Sequence, residues 1–535
     1  MIELAIFADM DALYQFVSLV RALAVLLFFF SCKGPAVEAA VPADPVGLVA
    51  EQLSSSSARL SWTPASDAAS YYVFARGEGD AYYVSPAATL PAGSSTYTFT
   101  GLKPGTGYYF GVQALGKEGK TLSKISYSEQ IKLIDYENLP KVTVSSCEPG
   151  LGSVSVRYHW EKVPEEAPEH GLCLRAGGDP TVQDICLPGP AIPASGDLYQ
   201  VVSNAVWEAG KDYRLCAYVR SDGEYWYSEP QPLRMQEVTE PVTLDWKPVA
   251  VEGLPAAIQV YETVSPLKGR AFHAWYAVAD CTGDVEFRVQ NPSARATLDA
   301  QAGSDCYVLI NGGIYGTKHI GVIIADGVKQ AWRDEVDGSY WGYDEKLYPV
   351  ARAAFGVDAA GKPACYWVSA PSATELYWYD RPLPTVMGES LYGPASATFP
   401  GPAVTWNPVQ ALSTGPMLLY GGRIVVDREK SPQGYYRTNF EAWAEDIFPT
   451  HPDRTAVGCT ADGKVVLFIC DGRITTSDGA YVEEVAQILK DLGCVSAINL
   501  DGGGSTGMVV CGRHLNDLTG GNRAVLSTLG FFRKR

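Results

Sequence analysis

The residues of this 535-residue chain best suited to chemistry lie near its end, in NLDGGGSTGM, Asn499 to Met508. An apolar run, VSAINL, carries Asn499 and delivers Asp501 to its tip, and Gly502, Gly503 and Gly504 follow. Glycine permits positive φ and lets a ligand approach the backbone. Successive amides in such a loop can form a nest for an anion. Ser505 and Thr506 add hydroxyl donors. This is not a nucleotide-type phosphate loop, because the Lys-Ser/Thr ending is missing and a strand rather than a helix follows. Three other strand-linked motifs share the same mixture. Asp471 and Arg473 close VVLFICDGR, Arg454 opens RTAVG, and Asn311 ends the apolar strand CYVLI in NGGIYG. Carboxylates can act as acid, base or nucleophile at a glycosidic carbon. Arginines can hold a phosphodiester bidentately.

Each motif also has a plain structural reading. Asp-Gly is a turn signal, so Asp471 and Asp501 can simply cap turns. Arg454 and Arg473 can be surface ion pairs, and Asn311 a turn residue. His319 and His451 read as ordinary surface or core residues.

The elements that must position these residues are legible in part. AVGCT, ADGK and VVLFICD form a hairpin with an Asp-Gly turn. In DGAYVEEVAQILKDLG, the residues Val482, Val485, Ile488 or Leu489, and Leu492 fall on one helical face. Ser477 or Asp478 can cap that helix, and Gly493 closes it. Strands with one such helix predict an α+β domain with a mainly antiparallel sheet over residues 240–535.

Upstream the texture differs. Residues 45–136 carry short alternating runs between regularly spaced turns, the pattern of an all-β sandwich. Leu60 and Trp62 share a face in RLSWTP, as do Tyr108, Phe110, Val112 and Ala114. The Leu102-Lys103-Pro104-Gly105 turn ahead of Tyr108 resembles the corner of a fibronectin type III domain. A second, more divergent copy is expected over 139–236. Trp160 sits in an early strand, Gly210 precedes Tyr213 as Gly105 precedes Tyr108, and Tyr-Ser-Glu recurs at 127–129 and 227–229. Such modules serve as spacers or platforms. Tyr82, Tyr83, Tyr225 and Trp226 are candidates for stacking on sugar rings, although such residues more often belong to a strand or an interface.

The formal net charge of −18 argues against a nucleic-acid partner, because an acidic chain repels a phosphate backbone. Any phosphate site must be a local cluster of donors. RALAVLLFFFSC, Arg21 to Cys32, is too short to span a bilayer and has the form of a signal-peptide core. Ending on Cys32, it resembles a bacterial lipoprotein signal. That implies export, lipidation at Cys32 and anchoring to the cell envelope through residues 1–32, with 33–44 as a linker. A cut near Ala39, giving a plain secreted protein, is the other reading. Removing Cys32 leaves 11 of the 12 cysteines, an odd number. Cys173 with Cys186, or Cys147 with Cys216, can form disulfides; buried free thiols fit equally. No ligand spacing demands a cofactor or zinc, while strand-end carboxylates leave calcium open.

Taken in order, NGGIY, GPMLLYGG (415–422), RTAVG, CDGR, the Ser477 helix start, NLDGGGST and NRAV (522–525) resemble the phosphodiester glycosidases, the N-acetylglucosamine-1-phosphodiester α-N-acetylglucosaminidase family. The resemblance runs from about residue 300 to the C-terminus, and more thinly from 240. It implies hydrolysis of a sugar-1-phosphodiester to free sugar and a phosphomonoester. It implies a site built from Asn311, Arg454, Asp471, Arg473, Asn499, Asp501, Gly502, Gly503, Gly504, Ser505, Thr506 and Arg523. Asp501 is the first candidate for a catalytic carboxylate and Asp471 the second. Arg454 and Arg523 would hold the phosphate, and the Gly502–Ser505 amides would complete its cradle. The partner would be a glycan or cell-envelope polymer. The alternatives are a glycan-binding protein without catalysis, and a phosphodiesterase that cleaves at phosphorus.

Overall fold

The computed structural model describes residues 40–535 except 82–83, 191–197, 209–210, 235, 237–240, 332–334, 338–346, 373–374 and 387–391. The signal segment with Cys32, most of the 33–44 linker, Tyr82, Tyr83 and Gly210 lie outside the described residues. Among the described residues, no helix is long and apolar enough to cross a membrane.

The chain divides into two compact units, residues 1–139 and 140–535. In the first, the strands Val46–Ser54, Ser57–Thr63 and Thr96–Phe99 form one sheet. Ala88–Pro91, Ser70–Gly77, Gly107–Leu115 and Ser126–Tyr127 form the other, with Ile131–Lys132 also paired to Gly107–Leu115. Alternation predicts the inward set correctly: Leu60, Trp62, Phe110, Val112 and Ala114 are buried between the sheets. The Tyr108 hydroxyl accepts from the Lys103 amide at 2.9 Å and fixes the corner.

The second unit opens with a sandwich of the same strand order. Leu198–Ser203, Ser153–Glu161 and Lys141–Pro149 face Ile185–Pro188, His170–Ala176, Tyr213–Ser221 and Glu224–Tyr227, and Gln231–Leu233 pairs with Tyr213–Ser221. The Tyr213 hydroxyl accepts from the Glu208 amide at 3.0 Å, the five-residue interval seen at Tyr108. Tyr158, rather than Trp160, fills the core; Trp160 is half-buried and packs on His170. Cys173 is the register partner of both Cys186 and Cys216, and all 11 described cysteines are free.

This sandwich is docked on the rest of the unit. The Gly152 amide donates to buried Asp427 at 2.8 Å. Arg437, also buried, donates to the carbonyls of Glu148 and Ser153 at 3.1 Å each. Arg423 donates to the Ala205 carbonyl at 3.1 Å, and Val201 packs with Val386 and Phe440.

The remainder is built almost entirely from strands, so the expected α+β balance is corrected toward β. An eight-stranded sheet runs in the order Lys247–Pro248, Ile258–Thr263, Ala274–Ala279, Val465–Cys470, Arg454–Thr460, Cys494–Asn499, Met417–Tyr420, Arg423–Ile424. A five-stranded sheet contains Cys306–Asn311 between Thr528–Arg533 and Met508–Val510. A six-stranded sheet contains Pro408–Thr414 and Arg352–Asp358. The sheets meet in one core, where Trp275, Leu467 and Ile498 of the first join Val308 and Phe531 of the second and Phe355 and Leu412 of the third. Burial of apolar surface on this scale is the main force holding them together.

The outer face of the eight-stranded sheet is covered by the helix Val482–Asp491, through Val482, Val485, Ile488 and Leu489. The helix starts later than its sequence signals suggest. Tyr481 is the N-cap, and Glu484 accepts from the Tyr481 amide at 3.0 Å. Ser477 is not the cap, because its hydroxyl donates to the Asp471 carbonyl at 2.6 Å. Gly493, at φ +88°, ends the helix as expected.

Candidate functional site

Asp501 leaves the end of the Cys494–Asn499 strand and turns into a cleft of about 530 Å³. The cleft is also lined by Asn499, Gly502 and Gly503, by Arg454 and Arg473, by Ile314, and by a wall of Asp446, Ile447, Pro449, Thr450, His451 and Pro452. Three sequence-predicted segments thus meet here, because the central strands Arg454–Thr460 and Cys494–Asn499 are register neighbours and Val465–Cys470 flanks them.

Asp501 is held by its backbone. Asn311, fully buried, donates from Nδ2 to the Asp501 carbonyl at 2.6 Å, and the Gly312 carbonyl accepts from the Asp501 amide at 3.1 Å. The Asn311 Oδ1 accepts from the Thr455 hydroxyl at 2.8 Å and the Gly507 amide at 3.2 Å. All of these groups are internal, so Asn311 is a brace between strands. Burial pushes the Asp501 carboxyl up to about 6, against hydrogen bonding from the Gly502 amide and the charge of Arg523. A buried carboxylate loses hydration, which favours its neutral form.

The Gly502–Ser505 loop is not the amide cradle expected from the sequence. It forms a 3₁₀ turn, Gly503–Ser505, that uses its own donors. The Gly502 amide donates to Asp501 Oδ1, Gly503 to the Asp453 carbonyl, Ser505 to the Gly502 carbonyl and Thr506 to the Gly503 carbonyl. Among the described residues, only the Gly504 amide of this loop has no protein acceptor. Gly503 needs its φ of +59° to make the turn. The Thr506 hydroxyl is buried and donates to the Thr455 hydroxyl oxygen at 3.2 Å, because the one hydrogen of Thr455 goes to Asn311.

The arginines differ. Arg454 is buried, donating from Nε to the Ala480 carbonyl at 3.0 Å and from Nη2 to the Ile447 and Thr450 carbonyls at 2.8 and 2.7 Å. Burial brings its guanidinium down to about 10. Its hydrogen bonds build the cleft wall, a role different from the phosphate grip expected of it. Arg473, in the left-handed region at φ +58°, projects into solvent and pairs with Asp453 at 3.1 Å. Arg523 is exposed and lies over Gly504, where an added Cβ would come within 2.5 Å of its Nη2.

Asp471 is fully buried and does not line the cleft. It accepts from Asn516 Nδ2 and from the Asp517 amide at 3.3 Å each, with His273 Nδ1 at 3.9 Å. Burial pushes it up to about 6. Asn499 donates to the Gly415 and Leu500 carbonyls, and its buried Oδ1 has no hydrogen-bond partner among the described residues.

Sequence reasoning missed three residues. Asp453, buried, joins Arg473, the Thr519 hydroxyl (2.6 Å) and, through its carbonyl, the Gly503 amide. Asn516 ties Asp471 to the Thr506 and Met508 backbone. His451 lines the cleft, while His319 is buried against the Ser413 carbonyl. Asp453 and His451 sit just ahead of RTAVG, and that adjacency to a site strand was the available signal. Among the described residues, no group of three or more His, Cys, Asp or Glu is placed to hold a metal ion.

Comparison with known proteins divides the chain as its texture does. Residues 304–532 match the phosphodiester glycosidase family and residues 43–129 the fibronectin type III domain. A prophage-derived uncharacterized protein of Bacillus subtilis is 39% identical over 88 residues, 16% of this chain and 13% of that protein. The mouse N-acetylglucosamine-1-phosphodiester α-N-acetylglucosaminidase is 46% identical over 59 residues, 11% of each chain. The chain thus spans only about an eighth of the length of either curated relative. The solved catalytic domain of the zebrafish N-acetylglucosamine-1-phosphodiester α-N-acetylglucosaminidase, auto-inhibited by its pro-peptide, aligns at 22% identity and a TM-score of 0.35, covering 55% of this chain and 89% of that one.

Proposed function

We propose, for a chain whose residues 304–532 match the phosphodiester glycosidase family and whose residues 43–129 match the fibronectin type III domain, a hydrolase that releases a sugar from a sugar-1-phosphodiester. The observation that carries this reading is Asp501: a carboxyl pushed up to about 6, at the end of a central strand, in a cleft that also presents arginine. At neutral pH it is ionised. The anomeric C–O bond breaks with its electron pair leaving on the phosphate oxygen, and Asp501 stabilises the positive charge that develops on the sugar ring. Asp501 then takes a proton from the water that adds to the anomeric carbon. The phosphomonoester is a good leaving group, so a second carboxylate acid is not required. Asp471, enclosed behind the cleft, supports the loop that carries Asn516 and Asp517. An N-acetylglucosamine-type sugar is the first substrate to try, because that is what the mouse relative is named for.

The residues ahead of the domain support a location. A signal core ending on Cys32 fits a lipid-anchored envelope protein, with the 45–136 module as a spacer. The substrate is then a glycan or polymer at the cell envelope.

The test is hydrolysis of the methyl phosphodiester of N-acetylglucosamine-1-phosphate by the full chain in oxygen-18 water. Label in the free sugar supports cleavage at carbon. Label in the phosphate means cleavage at phosphorus. Binding without release, across several sugars, means a lectin-like site.

A further inference from the structure

The cations of the cleft are unequally available. Arg454 has Nε and Nη2 committed to three backbone carbonyls. Arg473 is paired with Asp453, whose charge offsets its own. His451 is held differently. Its Nδ1 lies 2.7 Å from the Asp478 carbonyl oxygen, which can only accept, so Nδ1 carries a hydrogen whether the ring is neutral or charged. The ring stands edge-on to Tyr481, with centroids 4.9 Å apart. Its backbone is fixed on both sides. Arg454 bonds the Thr450 carbonyl, and the Ala480 amide bonds the Pro452 carbonyl at 3.4 Å. Gly479, at φ +86°, packs so closely that a Cβ there would lie 2.1 Å from the His451 carbonyl. Nε2 has no protein partner among the described residues, and the residue lines the cleft.

We propose that His451 is a phosphate-binding residue of this cleft, donating from Nε2 to a non-bridging oxygen of the phosphodiester, a contact that Arg454 Nε and Nη2, committed to backbone carbonyls, do not offer. The identity of the ligand as a sugar phosphodiester rests on the glycosidase reading; the oxyanion site rests on the geometry of the ring. The charged groups that line the same cleft are Asp446 on the turn Glu445–Ile447, Asp501, Arg454 and Arg473, the last paired with Asp453. Asp478 and Tyr481 stand behind the ring.

Sulfate is the probe. His451→Asn keeps a donor for the Asp478 carbonyl and removes Nε2. In titrations of the full chain with sulfate at pH 5.5 it should bind about tenfold more weakly than wild type, the worth of one charge-assisted hydrogen bond. His451→Gln, with a neutral donor near the Nε2 position, should recover part of the affinity. Equal affinities in wild type and both folded variants overturn the proposal, as does a wild type that binds no sulfate. A wild type that binds sulfate through His451 but releases no sugar sinks the glycosidase reading alone.

Discussion

Asn311 grips Asp501 by its main-chain carbonyl, at 2.6 Å, and leaves the carboxylate to the cleft. The same side chain accepts from Thr455 and Gly507, so one amide joins the Cys306–Asn311, Arg454–Thr460 and Asp501–Met508 segments. Asn311→Ala should therefore cost about 1–3 kcal/mol through unpaired buried donors and acceptors, and lower turnover through a misplaced Asp501. Thermal unfolding and steady-state kinetics on the same sample check both. Full stability with lost activity would mean that Asn311 touches substrate.

Asp501→Asn should fold normally and lose about 10²–10⁴-fold in turnover, the usual worth of a positioned carboxylate. In wild type, kcat should rise as pH rises through about 6, because that is where the carboxyl ionises. The variant's residual rate should lack this limb. A folded variant with wild-type turnover would remove Asp501 from the reaction.

Asp427 and Asp471 should shape stability against pH. Burial raises each from 3.8 to about 6. Each binds its proton more tightly folded than unfolded, so its contribution is complete below about 3.8 and is lost as pH climbs through about 6. The slope of unfolding free energy over that window should flatten in Asp427→Asn. An unchanged slope means that relaxation or water compensates the buried charge.

The Arg473–Asp453 pair should respond asymmetrically. Arg473 is 57% exposed and Asp453 1%. Arg473→Ala removes an exposed partner, and exposed pairs contribute about 0–1 kcal/mol. Asp453→Ala also strips the Thr519 hydroxyl of its acceptor, and should cost about 1–3 kcal/mol more. Urea unfolding of the two variants separates them; equal losses would mean that the Thr519 bond contributes nothing.

Much of the frame was legible from pattern. Alternation located Leu60, Trp62 and Phe110 inside the first sandwich, and the 3.6-residue period found Val485, Ile488 and Leu489. The Asp-Gly hairpin and the strand leading to Asp501 follow from local chemistry. What was not legible depended on partners distant in sequence. Nothing local says that Arg454 will meet the carbonyls of Ile447, Thr450 and Ala480, or that Asp471 will be enclosed by Asn516. The glycine loop suggested free amides, but its turn closes on itself and on Asp453. The Ser477 cap failed for the same reason, since its hydroxyl had a nearer acceptor.

The junction at Gly152, Asp427 and Arg437 separates ancestry from autonomy. Family likeness begins at residue 304, yet Arg437 finds its acceptors at Glu148 and Ser153, and an eight-stranded sheet needs Ile258–Thr263 and Ala274–Ala279. A protein trimmed to the region of likeness would lose two inner strands and bare a buried aspartate and arginine to water. The stretch of family likeness is thus shorter than the packed unit that contains it, and the strands from Lys141–Pro149 to Gln231–Leu233 are bonded into that unit.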